Sequence, residues 1–159
     1  RGIFVADKIR YLDRLILEIR RLRAVHGIQV AFIDYIQLVK VGQRFERDEL
    51  KYAYITQELL GTAADLGVAI AAFSQVNKAG GVAYADSIEK QARVRVHFER
   101  SKEMPCSVTL SILKNNEGLT NSGYPFHFNE VTQQWGEGSC ADNGHGTSAT
   151  QPILWGKEN

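Results

Sequence analysis

Two polar side chains of this 159-residue chain follow apolar segments and could do chemistry there. Asp34 follows the run 30–33 in "VAFIDYIQLVK", and Gln75 ends the segment "VAIAAFSQ". A carboxylate beside a buried strand is costly unless it holds something. Asp34 could hold Mg²⁺ by ordering the water shell of the metal, while the metal bridges phosphates. It could also cap the next element or accept backbone N–H bonds, and the pattern alone favours this structural role.

Two helices and two strands are predicted to position these side chains. Segment 6–27 repeats apolar residues at helical spacing and ends at a glycine, and segment 49–67 does the same. A short apolar strand follows each helix, and we expect both strands to be parallel and buried on both faces. Ligands bind beyond the carboxyl ends of parallel strands, so Asp34 and Gln75 should share one rim of the sheet.

The second half of the chain has a different pattern. "SIEKQA" predicts one or two helical turns, "RVRVHFER" alternates like a strand, and segment 106–129 predicts a hairpin around an Asn- and Gly-rich turn. The fold class is therefore α/β, with a mostly parallel central sheet and an antiparallel C-terminal hairpin. We expect residues 1–135 to form the domain, and residues 136–159 to form a flexible tail that could be partly vector-derived.

Composition narrows the function classes. The net charge is +1, so no global basic field indicates a polyanion partner, and local patches must supply any contact with nucleic acid. No apolar run approaches the roughly 20 residues of a membrane span. Cys106 and Cys140 fit neither a disulfide framework nor a zinc spacing, which favours a cytoplasmic protein with reduced thiols. The chain begins with Arg1 and no initiator Met, which indicates a fragment or a processed product.

Four motifs occur in an order that resembles one family. "FIDYIQLV" resembles the Walker B segment of the DnaB-type replicative helicases, which are RecA-like ATPases. "ITQELLGTAADLGVAIAAFSQVNK" is similar to the helix, strand and Ser-Gln-Leu-Asn-Arg motif of that family. "DSIEKQA" resembles its Gly-Ser-Ile-Glu-Gln-Asp-Ala, and "LKNNEG" its Lys-Gln-Arg-Asn-Gly. The resemblance covers roughly residues 8 to 135 and implies a RecA-like fold.

The resemblance implies a role for each matching residue. Asp34 would hold Mg²⁺ through water, Gln75 would sense the γ-phosphate, and Lys114 would reach into the site of the neighbouring subunit. Loop residues after the strands would touch the DNA backbone in the central channel of a hexamer, although each could also be a solvated loop charge. The candidate DNA-contacting residues are Arg44, Arg47 and Lys78.

The implied activity is ATP-driven translocation on single-stranded DNA, which unwinds the duplex. The implied cofactors are ATP and Mg²⁺, used only in the complete motor. The expected partners are single-stranded DNA, further copies of the chain, and a helicase loader or the missing half-domain, with no membrane involved.

Three departures from the family pattern support a competing hypothesis. No Gly-x-x-x-x-Gly-Lys-Ser/Thr occurs, so the chain is predicted to be the second half of a RecA-like domain, truncated at its N-terminal side. Asn116 stands where the family has its arginine finger, and Arg93 stands where it has an acid. "AYAD" replaces the basic channel-loop motif. The alternative is therefore a degenerate module that binds single-stranded DNA or a helicase ring without catalysis. A third interpretation is a soluble α/β domain outside this family.

Overall fold

A computed structural model of the chain describes residues 2–75, 88, 90–129 and 132–138. The chain divides into two compact units, Arg1–Ala92 and Arg93–Asn159, and each is described by itself. The elements of the first unit are α1 (Leu12–His26), β1 (Val30–Ile33), a 3₁₀ helix (Ile36–Leu38), α2 (Asp48–Leu66) and β2 (Ala69–Ala72). The elements of the second unit are β3 (Val94–Arg100), β4 (Ser107–Asn115), β5 (Asn121–Asn129) and β6 (Gln134–Glu137).

The start of α1 differs from the prediction. Residues 6–11 were expected to be helical, but α1 begins only at Leu12. The amide of Leu12 donates to the carbonyl of Lys40 at 2.9 Å, and the amide of Lys40 donates to the carbonyl of Arg10 at 2.7 Å. These long-range bonds hold the preceding residues in an extended bridge, which a helical pattern alone does not reveal.

Both helices end at the predicted glycines. Gly27 has φ 66° and Gly67 has φ 58°, which is the left-handed conformation that glycine adopts at little cost. The amide of Gly27 donates to the carbonyl of Arg23 at 3.0 Å, which closes the last turn of α1. A short strand follows each glycine, so these stops place β1 and β2 directly after the two helices.

β1 and β2 pair in parallel, from Val30 opposite Ala69 to Ile33 opposite Ala72. One face of the pair packs on α1 and α2. Buried side chains from both helices, β1 and the 3₁₀ segment form this core: Leu12, Ile33, Ile36, Val39, Tyr52, Ile55 and Leu59. Ile55 of α2 has no exposed surface, so α2 is anchored at the centre of the unit.

The prediction that these strands are buried on both faces is wrong for this chain. Phe32 is 71% exposed and Phe73 is 49% exposed, and the two rings stack with centroids 6.4 Å apart. Val30 is also exposed. The reason is that α1 and α2 cover only one side of the two-stranded sheet, so the side chains that alternate onto the other face meet solvent.

The second unit is an antiparallel sheet in the order β3, β4, β5, β6. The predicted hairpin is confirmed as β4 and β5, and the predicted strand "RVRVHFER" is β3. The antiparallel part is larger than predicted, because β6 adds a fourth strand along β5. The helical turn predicted near "SIEKQA" is present at the end of the first unit, since the amide of Ala92 donates to the carbonyl of Ile88 at 3.0 Å. The predicted α/β class is confirmed.

Three smaller observations complete the fold. β6 reaches Glu137, two residues into the predicted tail, and residues 139–159 lie outside the described residues. The prediction of reduced thiols is wrong at Cys106, which is disulfide-bonded. Cys140 lies outside the described residues. In the part of the chain that the structure describes, neither helix has the length and apolar character needed to cross a membrane.

Candidate functional site at the carboxyl ends of β1 and β2

Strand β1 brings Asp34 to the carboxyl edge of the parallel pair. Ile33 is buried, whereas the next residue, Asp34, is exposed, and the Asp34–Tyr35 peptide bond is cis. The amide of Phe73 donates to the carbonyl of Ile33 at 2.9 Å, and the amide of Ile36 donates to the carbonyl of Phe73 at 2.9 Å. Backbone hydrogen bonds therefore hold the chain on both sides of Asp34, and its carboxylate is accessible to a hydrated cation at a fixed edge.

Strand β2 brings Gln75 to the same edge. Ile33 lies opposite Ala72 in the register, so Asp34 and Gln75 follow the ends of adjacent parallel strands. Gln75 is exposed, as Asp34 is. The structure thus brings together the two residues that the sequence analysis singled out, with one carboxylate and one carboxamide at a single rim.

Gln37 joins the two strand ends, and the sequence analysis missed it. Its Nε2 donates to the Oγ of Ser74 at 2.8 Å, and its Oε1 accepts from the backbone amide of Gln75 at 3.4 Å. The side chain of Gln37 therefore bridges the 3₁₀ helix after Asp34 and the residues after β2. A signal was available, because Gln37 is the only polar residue in the run 36–39. A carboxamide is also able to donate and accept at once.

The predicted DNA-contacting residues of the first loop are exposed. Arg44 and Arg47 lie just before α2, and the carbonyl of Arg47 accepts from the amide of Lys51 in the first turn of that helix. The ring of Phe45, between the two arginines in sequence, packs against Tyr54 of α2 with centroids 5.5 Å apart. This contact anchors the loop and leaves both guanidinium groups at the surface. Lys78, the third candidate, lies outside the described residues.

Lys114 lies in β4 of the second unit, whereas Asp34 and Gln75 belong to the first. It is partly buried and lies opposite Arg95 of β3 in the antiparallel register. Asn116 follows β4 in the turn, at the position of the family's arginine finger.

The residues at the rim fit part of an Mg²⁺–ATP site. Within the described residues there is no group of three or more His, Cys, Asp or Glu side chains that could hold a metal ion. Asp34 would therefore hold Mg²⁺ through water, with phosphate oxygens completing the shell, which is a common arrangement for this ion. The sequence has no Gly-rich loop with the Lys that cradles phosphates. The chain thus offers the metal-side carboxylate, and other residues would have to hold the phosphates.

A cavity of about 280 Å³ lies between α1, α2 and residues 41–43. Asp13 and Glu58 supply its acidic lining, and Leu12 and Ile16 part of its apolar lining. Neither Asp34 nor Gln75 contributes to it, so it is separate from the rim.

The sequence from the first residue through the end of β2 matches one protein family. The family model described as DnaB-like helicase C terminal domain matches residues 1–83, which is just over half of the 159 residues. The chain belongs to this family. The matched part of this DnaB-like chain contains Asp34, Gln37 and Gln75 and ends before Lys114.

Replicative helicases are among the proteins similar to this DnaB-like chain. A probable plasmid replicative DNA helicase of Chlamydia psittaci is 33% identical over 76 residues, which are 47% of this chain and 17% of that protein. The replicative DNA helicase DnaB of Rickettsia felis is 33% identical over 60 residues, which are 38% of this chain and 12% of that protein. The chain thus spans less than a fifth of the length of these relatives.

Two solved structures resemble the fold of this DnaB-like chain. One is an isolated ATPase domain, with a TM-score of 0.69 at 17% identity, and the match covers 79% of this chain and 51% of that one. The other is a DnaB-like replicative helicase, studied together with its interactions with primase. It has a TM-score of 0.67 at 18% identity, covering 76% of this chain and 34% of that one. At these identities the likeness concerns the fold, and it confirms the predicted RecA-like class.

Proposed function

We propose that this DnaB-like chain is part of an ATP-dependent replicative DNA helicase motor, which unwinds duplex DNA by translocating on a single strand. One observation carries the proposal. Asp34 and Gln75 follow adjacent parallel strands, and Gln37 links the two strand ends inside the segment that matches the family. Carboxyl edges of parallel strands are where α/β folds bind ligands.

Each rim residue has a role suited to its chemistry. Asp34 holds Mg²⁺ through water, and the bound metal would neutralise charge on the phosphates of ATP. The carboxamide of Gln75 detects the γ-phosphate, because an amide can donate to a phosphate oxygen. Gln37 contacts the backbone of Gln75, so a displacement at that position is felt on the Asp34 side of the edge. This coupling would link the nucleotide state to the loop after β2.

The other predicted residues act in an assembled motor. Lys114 contacts the nucleotide bound to a neighbouring subunit. Arg44, Arg47 and Lys78 contact phosphates of single-stranded DNA. These roles require several copies of the chain, a hexamer in the complete motor, and residues that cradle the phosphates of ATP. The first unit also exposes Phe32 and Phe73, an apolar surface that is suited to burial against further protein.

The test is reconstitution of hydrolysis. This chain is combined with a P-loop-bearing half of a DnaB-like ATPase domain, either in a mixture or as a fusion, and ATP turnover is measured with and without single-stranded DNA. We expect turnover that DNA stimulates, and loss of turnover in Asp34→Asn and Gln75→Ala. Asp65→Asn, which removes an exposed carboxylate of α2, is the matched control and should hydrolyse normally. Equal activity in Asp34→Asn and Asp65→Asn would contradict the proposal.

The second candidate function is a non-catalytic module that binds single-stranded DNA or a helicase ring. It is favoured by Asn116 at the finger position and by the lack of a P-loop motif in the sequence. The same experiment distinguishes the two candidates. Binding of oligonucleotide that weakens steeply with salt, combined with no hydrolysis in the reconstituted mixture, would support this second function.

A further inference from the structure

The guanidinium group of Arg93 lies at the turn that follows β4. Its Nη1 is 2.9 Å from Oε1 of Glu117, and its backbone carbonyl accepts from the amide of Asn116 at 3.0 Å. The backbone bond extends the β3–β4 ladder by one step into the turn. Arg93 is therefore beside the position where Asn116 provides no charge.

The turn itself is ordered by its own side chains. Oδ1 of Asn115 accepts from the amide of Glu117 at 3.2 Å, and Nδ2 of Asn115 donates to the carbonyl of Leu119 at 3.3 Å. A Cβ at Gly118 would lie 2.7 Å from that Nδ2, so only glycine fits without a shift. Glu117 is thus presented from a fixed backbone, and Arg93 has a defined partner.

Three bases share this end of the β3–β4 pair. Arg95 lies directly opposite Lys114 in the register, and Arg93 precedes Arg95 by two residues. Like charges opposite each other in an antiparallel pair are destabilising. A polyanion bound across them would remove that cost, because it supplies several negative oxygens at once.

The Arg93–Glu117 pair is one that a phosphate can displace. The side chains are 67% and 74% exposed, and ion pairs this exposed contribute little to stability. Phosphate oxygens match the planar fork of a guanidinium group at least as well as a carboxylate does. Glu117 therefore acts as a weak competitor that keeps the side chain of Arg93 at the turn until an anion arrives.

We propose that Arg93, Arg95 and Lys114 form a binding site for the phosphate chain of a nucleoside triphosphate, in which Arg93 supplies the guanidinium group that position 116 lacks. The site lies entirely within the second unit. The identity of the ligand rests on the proposed function, because a motor subunit would meet the triphosphate bound to its neighbour.

The test uses the full chain and inorganic tripolyphosphate, followed by ¹⁵N–¹H spectra at residues 93, 95 and 114. We expect Arg93→Gln to weaken binding about tenfold, the usual scale for one charge-assisted contact. Arg100→Gln, the same charge change at the far end of β3, should weaken it less than about twofold because of screening. Glu117→Gln should tighten binding, since it removes the competing carboxylate.

The opposite signs separate a binding site from a structural ion pair. Arg93→Gln and Glu117→Gln both remove the same pair, so damage to the fold would weaken binding in both variants. Equal effects of Arg93→Gln and Arg100→Gln, or weaker binding in Glu117→Gln, would overturn the proposal. An oligonucleotide that shifts these resonances at lower phosphate concentration than tripolyphosphate would overturn it in favour of a contact with DNA.

This readout is independent of hydrolysis. Binding of tripolyphosphate needs neither a P-loop nor a hexamer, so a reconstituted mixture that fails to turn over ATP leaves the measurement valid. Conversely, a mixture that hydrolyses ATP while Arg93→Gln binds tripolyphosphate normally would reject only the role of Arg93.

Discussion

The Nε2 atom of Gln37 lies 2.8 Å from the Oγ of Ser74, across the ends of β1 and β2. The same carboxamide accepts from the amide of Gln75 at 3.4 Å. One side chain therefore fixes the spacing between the strand end that carries Asp34 and the strand end that carries Gln75. In a parallel pair of only two strands, this link provides a constraint that a wider sheet would share among neighbouring strands.

Replacing Gln37 by Met should loosen the rim without unfolding the chain. Met keeps the length of the side chain and removes both hydrogen bonds, so the free energy of unfolding should fall by about 1–2 kcal/mol. Hydrogen exchange at the amide of Gln75 should become faster. Gln57→Met, on the exposed face of α2, is the control and should change neither quantity. Unchanged exchange at Gln75 in Gln37→Met would show that the bridge does not hold the rim.

The glycine that ends α2 should respond oppositely to a glycine inside it. Gly67 has φ 58° and an added Cβ would meet no atom within 4 Å, so Gly67→Ala should cost about 1–2 kcal/mol from backbone strain alone. Gly61 lies in the helix with equally open space, so Gly61→Ala should stabilise by about 0.5–1 kcal/mol. Urea denaturation of the two variants measures both signs. Equal shifts would mean that α2 does not end at Gly67.

Removal of the core side chain at the centre of α2 should be costly. Ile55 has no exposed surface, so Ile55→Ala should lower the free energy of unfolding by about 2–5 kcal/mol. Leu60→Ala, on the same helix but 39% exposed, should cost less than about 1 kcal/mol. Thermal or urea unfolding distinguishes them. Similar losses would contradict the packing of α2 against β1 through its Ile55 face.

The pairing of β5 with β6 should depend on Gly136. A Cβ at that position would overlap the imidazole ring of His127, which lies opposite it in the register. Gly136→Ala should therefore destabilise the sheet by about 1–3 kcal/mol, the usual cost of overpacking. His127→Ala in the same chain should recover part of that loss, because it removes the atoms that clash. Additive losses in the double variant would argue against this register.

Local signals in the sequence predicted much of the first unit. The stops at Gly27 and Gly67 were predictable because a left-handed residue at a helix end favours glycine. The shared rim of Asp34 and Gln75 was predictable because parallel strands place their carboxyl ends together. In the second unit, the hairpin of β4 and β5 was indicated by a turn rich in Asn and Gly between two apolar strands.

What the sequence did not predict depends on distant partners. Residues 6–11 continue the helical pattern, yet Arg10 pairs with Lys40, thirty residues away in the chain. Gln37 has no periodic signature, and its partner Ser74 is 37 residues away. The exposure of Phe32 depends on what covers the second face of the sheet, which an apolar strand pattern cannot specify.

The most direct test of the proposed motor site is where a divalent ion binds on this chain. Mn²⁺, a paramagnetic substitute for Mg²⁺, is titrated while the amide resonances of Ser74 and Gln75 are followed. We expect Mn²⁺ to broaden both resonances in the unsubstituted chain and in Asp65→Asn, and Asp34→Asn to abolish the broadening. Broadening that persists unchanged in Asp34→Asn, or that spares Gln75 altogether, would contradict a metal site on the rim shared by β1 and β2.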